Sequence, residues 1–215
     1  YANDLLGQQD QAISDCTRSV ELVPDDGEVI NNRGVAYLNQ GLIDEAEKDF
    51  DRAIELRPGY AAAYANRGRM WLEKEDFERA LEDLDRAIEL DPELAQAYAN
   101  RASAKDNLGR KAEALADFDR SLELRPDALV YFTRGMFHLR YAEFDAAYAD
   151  YTAAAALEPD TYVGYMASTE ARFLENRPTA DPADESQAGS GAASTPATVS
   201  PAAGHSTTGA SPEAS

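Results

Sequence analysis

The sequence is poor in the residue types that most often carry chemistry. It has one cysteine, Cys16, and two histidines among 215 residues. A single cysteine cannot form an internal disulfide, so the fold must be stable without one. No calcium-loop, phosphate-loop, zinc or nucleophile-elbow pattern occurs in the chain. We therefore expect neither an enzyme nor a bound cofactor or metal.

Basic residues are also scarce. The sequence has 20 Lys and Arg against 40 Asp and Glu, which gives a formal charge of −20. Such a charge repels phosphate backbones and argues against nucleic acid as a partner. It favours instead a protein partner that offers a segment of basic or polar character.

Long apolar runs are missing too. No run approaches the roughly 20 residues needed to span a bilayer, and no basic region precedes an apolar core near the N-terminus. We therefore expect no membrane span, and the lack of a visible signal favours the cytoplasm over export. Residues 1–12 align with residues 35–46, however, so the chain opens inside a repeat and a leader or upstream domain would lie outside it. The compartment stays undetermined.

What the sequence does contain is a repeat. Proline recurs at equal intervals at Pro24, Pro58, Pro92 and Pro126, and again, one position early, at Pro159. The preceding segments are similar, for example DFDRAIELRP, DLDRAIELDP and DFDRSLELRP. A fixed period of this kind is typical of a solenoid made from one repeated supersecondary unit.

Each repeat is predicted to contain two helices. In residues 27–60, apolar and small residues recur at helical spacing on both sides of a break at Asn39, Gln40 and Gly41. Pro58 follows the second helix, which a proline cannot continue.

Five positions of this unit resemble the tetratricopeptide repeat: small residues at Gly34 and Ala46, aromatic residues at Tyr37 and Phe50, and proline at Pro58. The resemblance covers residues 1 to about 175, and the NRG and DFDRAIEL segments are similar to those of bacterial members. It implies an all-α fold, a right-handed α-solenoid of 34-residue helix-turn-helix repeats with a C-terminal capping helix.

The repeat phase divides the chain into segments. It predicts a truncated first unit at 1–26, complete units at 27–60, 61–94, 95–127 and 128–160, a capping helix at 161–176 and a disordered tail at 177–215, rich in Ala, Ser, Pro, Thr and Gly. The packing face of the capping helix is predicted to contain Tyr162, Tyr165, Met166, Thr169 and Phe173.

An arginine recurs in the first helix of each complete unit, and an aspartate follows it at the same sequence distance every time. In antiparallel helices this constant offset can place the two side chains opposite each other, and a guanidinium fork suits a carboxylate. We predict a structural ion pair in each unit: Arg33 with Asp49, Arg67 with Asp83, Arg101 with Asp117, and Arg134 with Asp150.

The resemblance also implies a binding surface, because first helices of this family line a concave groove that commonly holds a peptide. When the units are aligned by the repeat, the predicted groove residues are Asn31, Asn32, Val35, Asn66, Arg69, Gln96, Asn100 and Ser103. Asn32, Asn66 and Asn100 repeat in step, and their amides offer both donors and an acceptor to a bound backbone.

The fifth unit replaces these polar groove positions by an apolar strip that contains Leu129, Phe132, Met136 and Leu139. We expect the terminal helix to cover this strip, and the alternative is an open anchor pocket for an apolar side chain.

These features predict a protein-interaction scaffold that binds a peptide segment of another protein. The alternative is the substrate-recruiting arm of a larger enzyme with its catalytic domain upstream of Tyr1, and self-association through an unpaired helix face is a third hypothesis. The acidic tails of heat-shock chaperones are disfavoured, because the family's carboxylate-clamp positions read Asn31, Val35, Asn66, Gln96 and Asn100 and lack its basic groups.

Overall fold

The structure, a computed structural model, describes the backbone of residues 2–177 and the side chains of residues 11–177. The predicted tail at 177–215 falls outside this part apart from its first residue. The described part contains ten α-helices and no strand, which confirms the all-α class. The helices are α1 (Ala2–Leu22), α2 (Gly27–Asn39), α3 (Ile43–Leu56), α4 (Ala61–Glu73), α5 (Phe77–Leu90), α6 (Ala95–Asn107), α7 (Lys111–Leu124), α8 (Ala128–Arg140), α9 (Phe144–Leu157) and α10 (Tyr162–Glu175).

The helices alternate between two roles along the solenoid. We call α2, α4, α6, α8 and α10 the first helices, and α1, α3, α5, α7 and α9 the second helices. A first helix packs against the second helix that follows it, and each second helix packs against the next first helix. Each unit therefore contacts only its neighbours, as expected of a repeat array.

Local sequence signals set the helix ends. The Asp26 side chain accepts hydrogen bonds from the backbone N–H groups of Glu28 and Val29, and so caps α2. The turn from a first to a second helix contains a left-handed residue, which is Gly41 or Gly109 at φ +74° in two units. Glu75 and Ala142 adopt the same region at φ 58° in the other two units.

Small residues let the two helices of a unit approach closely. A Cβ atom added at Gly34 or Gly135 would lie 2.8 or 2.7 Å from the ring of Phe50 or Tyr151. In each complete unit the large side chain at this place is fully buried or nearly so: Phe50, Leu84, Phe118 and Tyr151. The repeated small residues thus make room for the repeated large ones.

The helix α1 is longer than the alignment of the repeats predicts. Aligning residues 1–12 with residues 35–46 would put a turn near Gly7, yet α1 runs without interruption from Ala2 to Leu22. In the described structure α1 occupies the place of a second helix.

The last helix packs through a different face from the predicted one. Gly164 and Ala167 are buried against the preceding unit, whereas Tyr162, Tyr165 and Phe173 are 77%, 67% and 70% exposed. The reason is that α10 contacts α9 as earlier first helices contact the second helix before them. The predicted stripe lies on the face that would meet a following second helix, and no such helix occurs in residues 2–177.

Gly164 should control the docking of α10. A Cβ atom at this position would lie 1.8 Å from the carbonyl oxygen of Glu158. We expect Gly164→Ala to displace α10 at a cost of about 1–3 kcal/mol, measured as faster amide hydrogen exchange in α10 and a lower urea midpoint. Gly59→Ala is the matched control, because its Cβ would meet nothing within 4 Å. Unchanged exchange in Gly164→Ala would contradict the packing.

Tyr151 should make the fold sensitive to high pH. Burial raises the pKa of this phenol to about 12, with smaller effects from Glu170 and Asp150, whereas an unfolded tyrosine titrates near pH ~10. Between these two pKa values the folded state keeps a proton that the unfolded state loses. The contribution of Tyr151 to stability is therefore complete below pH ~10 and is lost as the pH rises to about 12.

Ultraviolet titration of phenolate in wild type minus Tyr151→Phe measures this group alone. We expect its signal to appear well after that of the exposed tyrosines. A Tyr151 signal that coincides with theirs in the folded protein would show that the phenol is hydrated.

Candidate peptide-binding groove

Four arginines, one on each of α2, α4, α6 and α8, join the first helices to the second helices. Each guanidinium donates two parallel hydrogen bonds to the aspartate predicted as its partner. Nε lies 2.7–2.9 Å from Oδ2, and Nη2 lies 2.6–2.8 Å from Oδ1. The pairs are Arg33 with Asp49, Arg67 with Asp83, Arg101 with Asp117, and Arg134 with Asp150. The four predicted pairs are therefore brought together in bidentate geometry.

These pairs are mostly shielded from solvent. The four aspartates are only 4–7% exposed, and the hydrogen bond to Asp83 raises the pKa of Arg67 further above its ordinary value. Charges in such pairs are satisfied by each other and are not available to a ligand.

Three of these arginines also bind the preceding repeat, a contact that we did not predict from the sequence. Nη1 of Arg67 lies 2.6 Å from Oδ1 of Asp51, and Nη1 of Arg101 lies 2.7 Å from Oδ1 of Asp85. Arg134 repeats the contact with Asp119 at 2.5 Å. The sequence could have indicated this contact, because an aspartate follows the paired aspartate by two positions in each of α3, α5 and α7. Each of the three guanidiniums therefore joins two units.

Further donors reach Asp83 and Asp117 from one turn further along α4 and α6. Trp71 Nε1 lies 3.0 Å from Asp83, and Lys105 Nζ lies 2.7 Å from Asp117. His138 takes this place in the next unit, with Nδ1 2.7 Å from Oε2 of Glu143. Its Nε2 lies 3.7 Å from Asp150. Side chains of different type thus contact the carboxylate at this place of the repeat. In the described residues every buried side-chain N or O atom has a hydrogen-bond partner.

The predicted asparagine surface is partly used by the fold itself. Asn31 is buried at 2% exposure and therefore does not lie on the open groove surface where the sequence predicts it. Its Oδ1 accepts a hydrogen bond from Nδ2 of Asn66 at 3.0 Å, and its Nδ2 lies 3.4 Å from Oδ1 of Asn32. Asn31 occupies the same helix position as the buried Ala65 and Ala99, where adjacent first helices meet.

The other predicted groove residues remain partly or fully open. Asn32 is exposed, and Asn66 and Asn100 are half-buried. Gln96 donates to Asn100 Oδ1 at 3.1 Å and so leaves the Asn100 amide hydrogens unused among the described residues. Asn66 donates one amide hydrogen to Asn31, and its side-chain carbonyl oxygen accepts no hydrogen bond within residues 11–177.

Arg69, Ser103 and Val35 have contacts of their own. Arg69 binds Asn39 at 3.1 Å and Glu73 at 3.4 Å, and the Ser103 hydroxyl donates to a backbone carbonyl of its own helix. Val35 lines a pocket of about 240 Å³ between α1 and α2. These residues shape the surface and offer few free hydrogen-bonding groups.

The apolar strip of α8 is covered only in part. Phe132 and Leu139 pack in the cluster under α10, whereas Leu129 and Met136 stay 55% and 47% exposed. The expectation that the terminal helix covers the whole strip is therefore wrong for these two residues. They lie outside this cluster, and we call these two exposed side chains the apolar site.

Comparison with known proteins identifies the architecture. Two family models described as "Tetratricopeptide repeat" match residues 31–95 and 66–131. The structure superposes on TTC0263, a thermophilic TPR protein of Thermus thermophilus, with a TM-score of 0.71, 20% identity and coverage of 79% of this chain and 93% of that chain. The chain is a tetratricopeptide repeat protein.

Other solved structures extend the comparison of the TPR fold. A chain of the APC/C hetero-tetramer Cut9-Hcn1 matches with a TM-score of 0.68 and 21% identity, over 80% of this chain and 34% of that one. MamA from Desulfovibrio magneticus RS-1 matches with a TM-score of 0.57 and 22% identity, over 73% of this chain and 89% of that one. No curated protein matches significantly in sequence. At these identities the likeness concerns the fold.

The acidic charge of this TPR array lies mainly on its second helices. α3 carries six acidic and two basic residues, whereas α8 carries Arg134 and Arg140 and no acidic residue. Among the other first helices, α2, α4 and α6 balance their charges or have one extra cation, and α10 has one extra acid. The first helices α2, α4, α6 and α8 therefore carry little of the net acidic charge of the array.

No other chemical centre emerges in the described part of the TPR protein. Residues 11–177 contain no group of three or more His, Cys, Asp or Glu side chains placed to hold a metal, and no helix there is long and apolar enough to cross a membrane. Burial raises the pKa of the Cys16 thiol, and Asp15 raises it further, so the thiol is less reactive than an ordinary one.

Arg67 should be one of the most sensitive charged residues of the TPR array. Replacing it by Met removes both bonds to Asp83, which is 7% exposed, and the bridge to Asp51. We expect Arg67→Met to lower the free energy of unfolding by about 3 kcal/mol, measured by urea denaturation.

Arg52→Met is the matched control, because Arg52 is half-exposed and pairs only with exposed acids; surface pairs contribute about 0–1 kcal/mol. Equal stability of Arg67→Met and wild type would contradict a structural role for the ion pair.

Proposed function

We propose that the protein is a non-catalytic scaffold that binds an extended or helical segment of another protein along its first helices. The proposal rests on a difference between the arginines and the asparagines of these helices. The arginines are paired with aspartates of the second helices, whereas Asn32, Asn66 and Asn100 keep amide groups at the surface. Amides spaced by one repeat suit the backbone of a bound segment.

The neighbouring apolar site suggests how such a segment is anchored. Leu129 and Met136 follow the asparagine surface by one unit and are half-exposed. A side chain that covers them would gain roughly 25 cal/mol for each Å² of apolar surface removed from water. We propose that the ligand has an apolar residue at this end and uncharged or mixed residues along the asparagines.

Charge supports the choice of ligand. The first helices α2, α4, α6 and α8 are neutral or slightly basic, so neither a strongly basic nor a strongly acidic segment is favoured by these helices. The acidic second helices would still repel acidic partners at a distance. Acidic chaperone tails remain disfavoured, because the groove positions offer amides where a carboxylate clamp needs cations.

Peptide selection from a random library displayed on phage tests the proposal without a known partner. We expect enriched peptides to share an apolar residue and to lose at least about ten-fold in affinity for the double variant Asn66→Ala with Asn100→Ala, since two backbone contacts disappear. Binding is measured by fluorescence anisotropy and helicity by circular dichroism.

Asn176→Ala is the matched control, because it removes an exposed amide at the end of α10 that bonds only to its own helix. Met136→Glu should weaken the same peptides by placing a charge in the apolar site. Failure to enrich any peptide, or equal binding to the double variant and wild type, would contradict the proposed groove.

A further inference from the structure

The asparagines on the first helices leave mainly hydrogen-bond donors unused. Oδ1 of Asn32 accepts from Asn31 at 3.4 Å, and Oδ1 of Asn100 accepts from Gln96 at 3.1 Å. The amide hydrogens of Asn32 and Asn100 have no partner within residues 11–177. Asn66 gives one hydrogen to Asn31 at 3.0 Å and keeps the other. Each of the three asparagines at the groove surface therefore offers at least one N–H group to a ligand.

The repeat places these donors at equal intervals. Asn32, Asn66 and Asn100 occupy the same place on α2, α4 and α6, and α4 contacts both α2 and α6. The axes of packed helices lie about 8–10 Å apart. The three amides therefore form a row across the first helices, with one amide at each step of about 8–10 Å.

A ligand that meets this row must present a carbonyl on the same side at each step. The backbone carbonyls of an α-helix are used within the helix. In a β-strand the carbonyls of residues three apart point to opposite sides. Polyproline II has about three residues and roughly 9 Å per turn and no internal hydrogen bonds. Of the three conformations, only polyproline II matches both the interval and the side.

The chemistry of the row favours proline in the ligand. A peptide N–H group would compete with hydrogen bonds that the oxygens of Asn32 and Asn100 already accept. Proline has no N–H group, and its ring fixes φ close to the polyproline II value. Ala62 and Ser103 lie one turn from Asn66 and Asn100 and are small and half-buried, which suits neighbouring pyrrolidine rings.

The row of amides ends at the apolar site. Thr133 holds the same place on α8, which binds α6 through Arg140 and Asp106 at 2.7 Å. The Thr133 hydroxyl donates to the backbone oxygen of Leu129 at 2.8 Å. Leu129 and Met136 lie one turn to either side of Thr133 and are 55% and 47% exposed. The fourth step of the row is therefore apolar.

From these observations we propose that the bound segment is a proline-rich stretch of another protein in the polyproline II conformation. Three of its carbonyls, each three residues from the next, accept hydrogen bonds from Asn32, Asn66 and Asn100. An apolar residue three positions beyond the last of these carbonyls covers Leu129 and Met136. This choice of ligand depends on the peptide-binding function proposed above and narrows it to one conformation.

Short synthetic peptides test the choice of ligand. The probes are two fluorescein-labelled peptides of nine prolines, with one leucine at the N-terminal or the C-terminal end. Each has a reference peptide of alternating Ala and Ser with the leucine in the same place. We expect at least one proline peptide to bind about ten-fold or more tightly than its reference in fluorescence anisotropy, because proline holds the bound conformation in advance.

A double variant tests the donors themselves. Asn32→Asp with Asn100→Asp removes the unused N–H groups and keeps the oxygens that accept from Asn31 and Gln96. We expect it to bind the proline peptide about ten-fold more weakly or worse, since two hydrogen bonds disappear. Asn176→Asp is the matched control, because it places the same charge at the end of α10. Circular dichroism confirms folding of each variant.

Three results would overturn the choice of ligand. The first two are proline peptides that bind no better than their references, and a proline peptide that binds the double variant as tightly as wild type. The third is a set of phage-selected peptides that require Asn66 and Asn100 yet contain no proline, a result that leaves the peptide-binding scaffold in place. Failure of every peptide to bind would contradict both the ligand and the scaffold.

Discussion

The structure depends on the ion pair between an arginine of each first helix and an aspartate of the following second helix. A bidentate guanidinium–carboxylate contact fixes both the distance and the orientation of two helices, which apolar packing alone fixes less sharply. In Arg67, Arg101 and Arg134 the remaining guanidinium nitrogen binds an aspartate of the preceding unit. One side chain therefore sets the geometry within a repeat and between repeats.

This use of charge also bears on where we propose the binding surface. Because the arginines and their aspartates are satisfied within the array, they leave little net charge on the first helices, and the acidic excess stays on the second helices. The polar groups left at the surface are amides and not ions. We propose that such a surface binds its ligand through backbone hydrogen bonds and one apolar anchor.

Much of the fold could be predicted because a repeat shows its period in the sequence. The spacing of Pro58 and Pro92 and the pattern of small and large residues were enough to predict the paired helices. The constant offset between Arg33 and Asp49 and their counterparts was enough to predict their juxtaposition. What could not be predicted depends on contacts between units. The bridge from Arg67 to Asp51, the burial of Asn31 and the open face of α10 follow from how one unit is placed on the next.

The central claim is that the arginines build the array while the asparagines bind the ligand. The most direct test is NMR of the side-chain N–H groups during titration with a peptide selected on the groove. We expect the amide signals of Asn32, Asn66 and Asn100 to shift while the Nε signals of Arg33, Arg67, Arg101 and Arg134 stay in place. Shifted arginine signals with unchanged asparagine signals would contradict the claim.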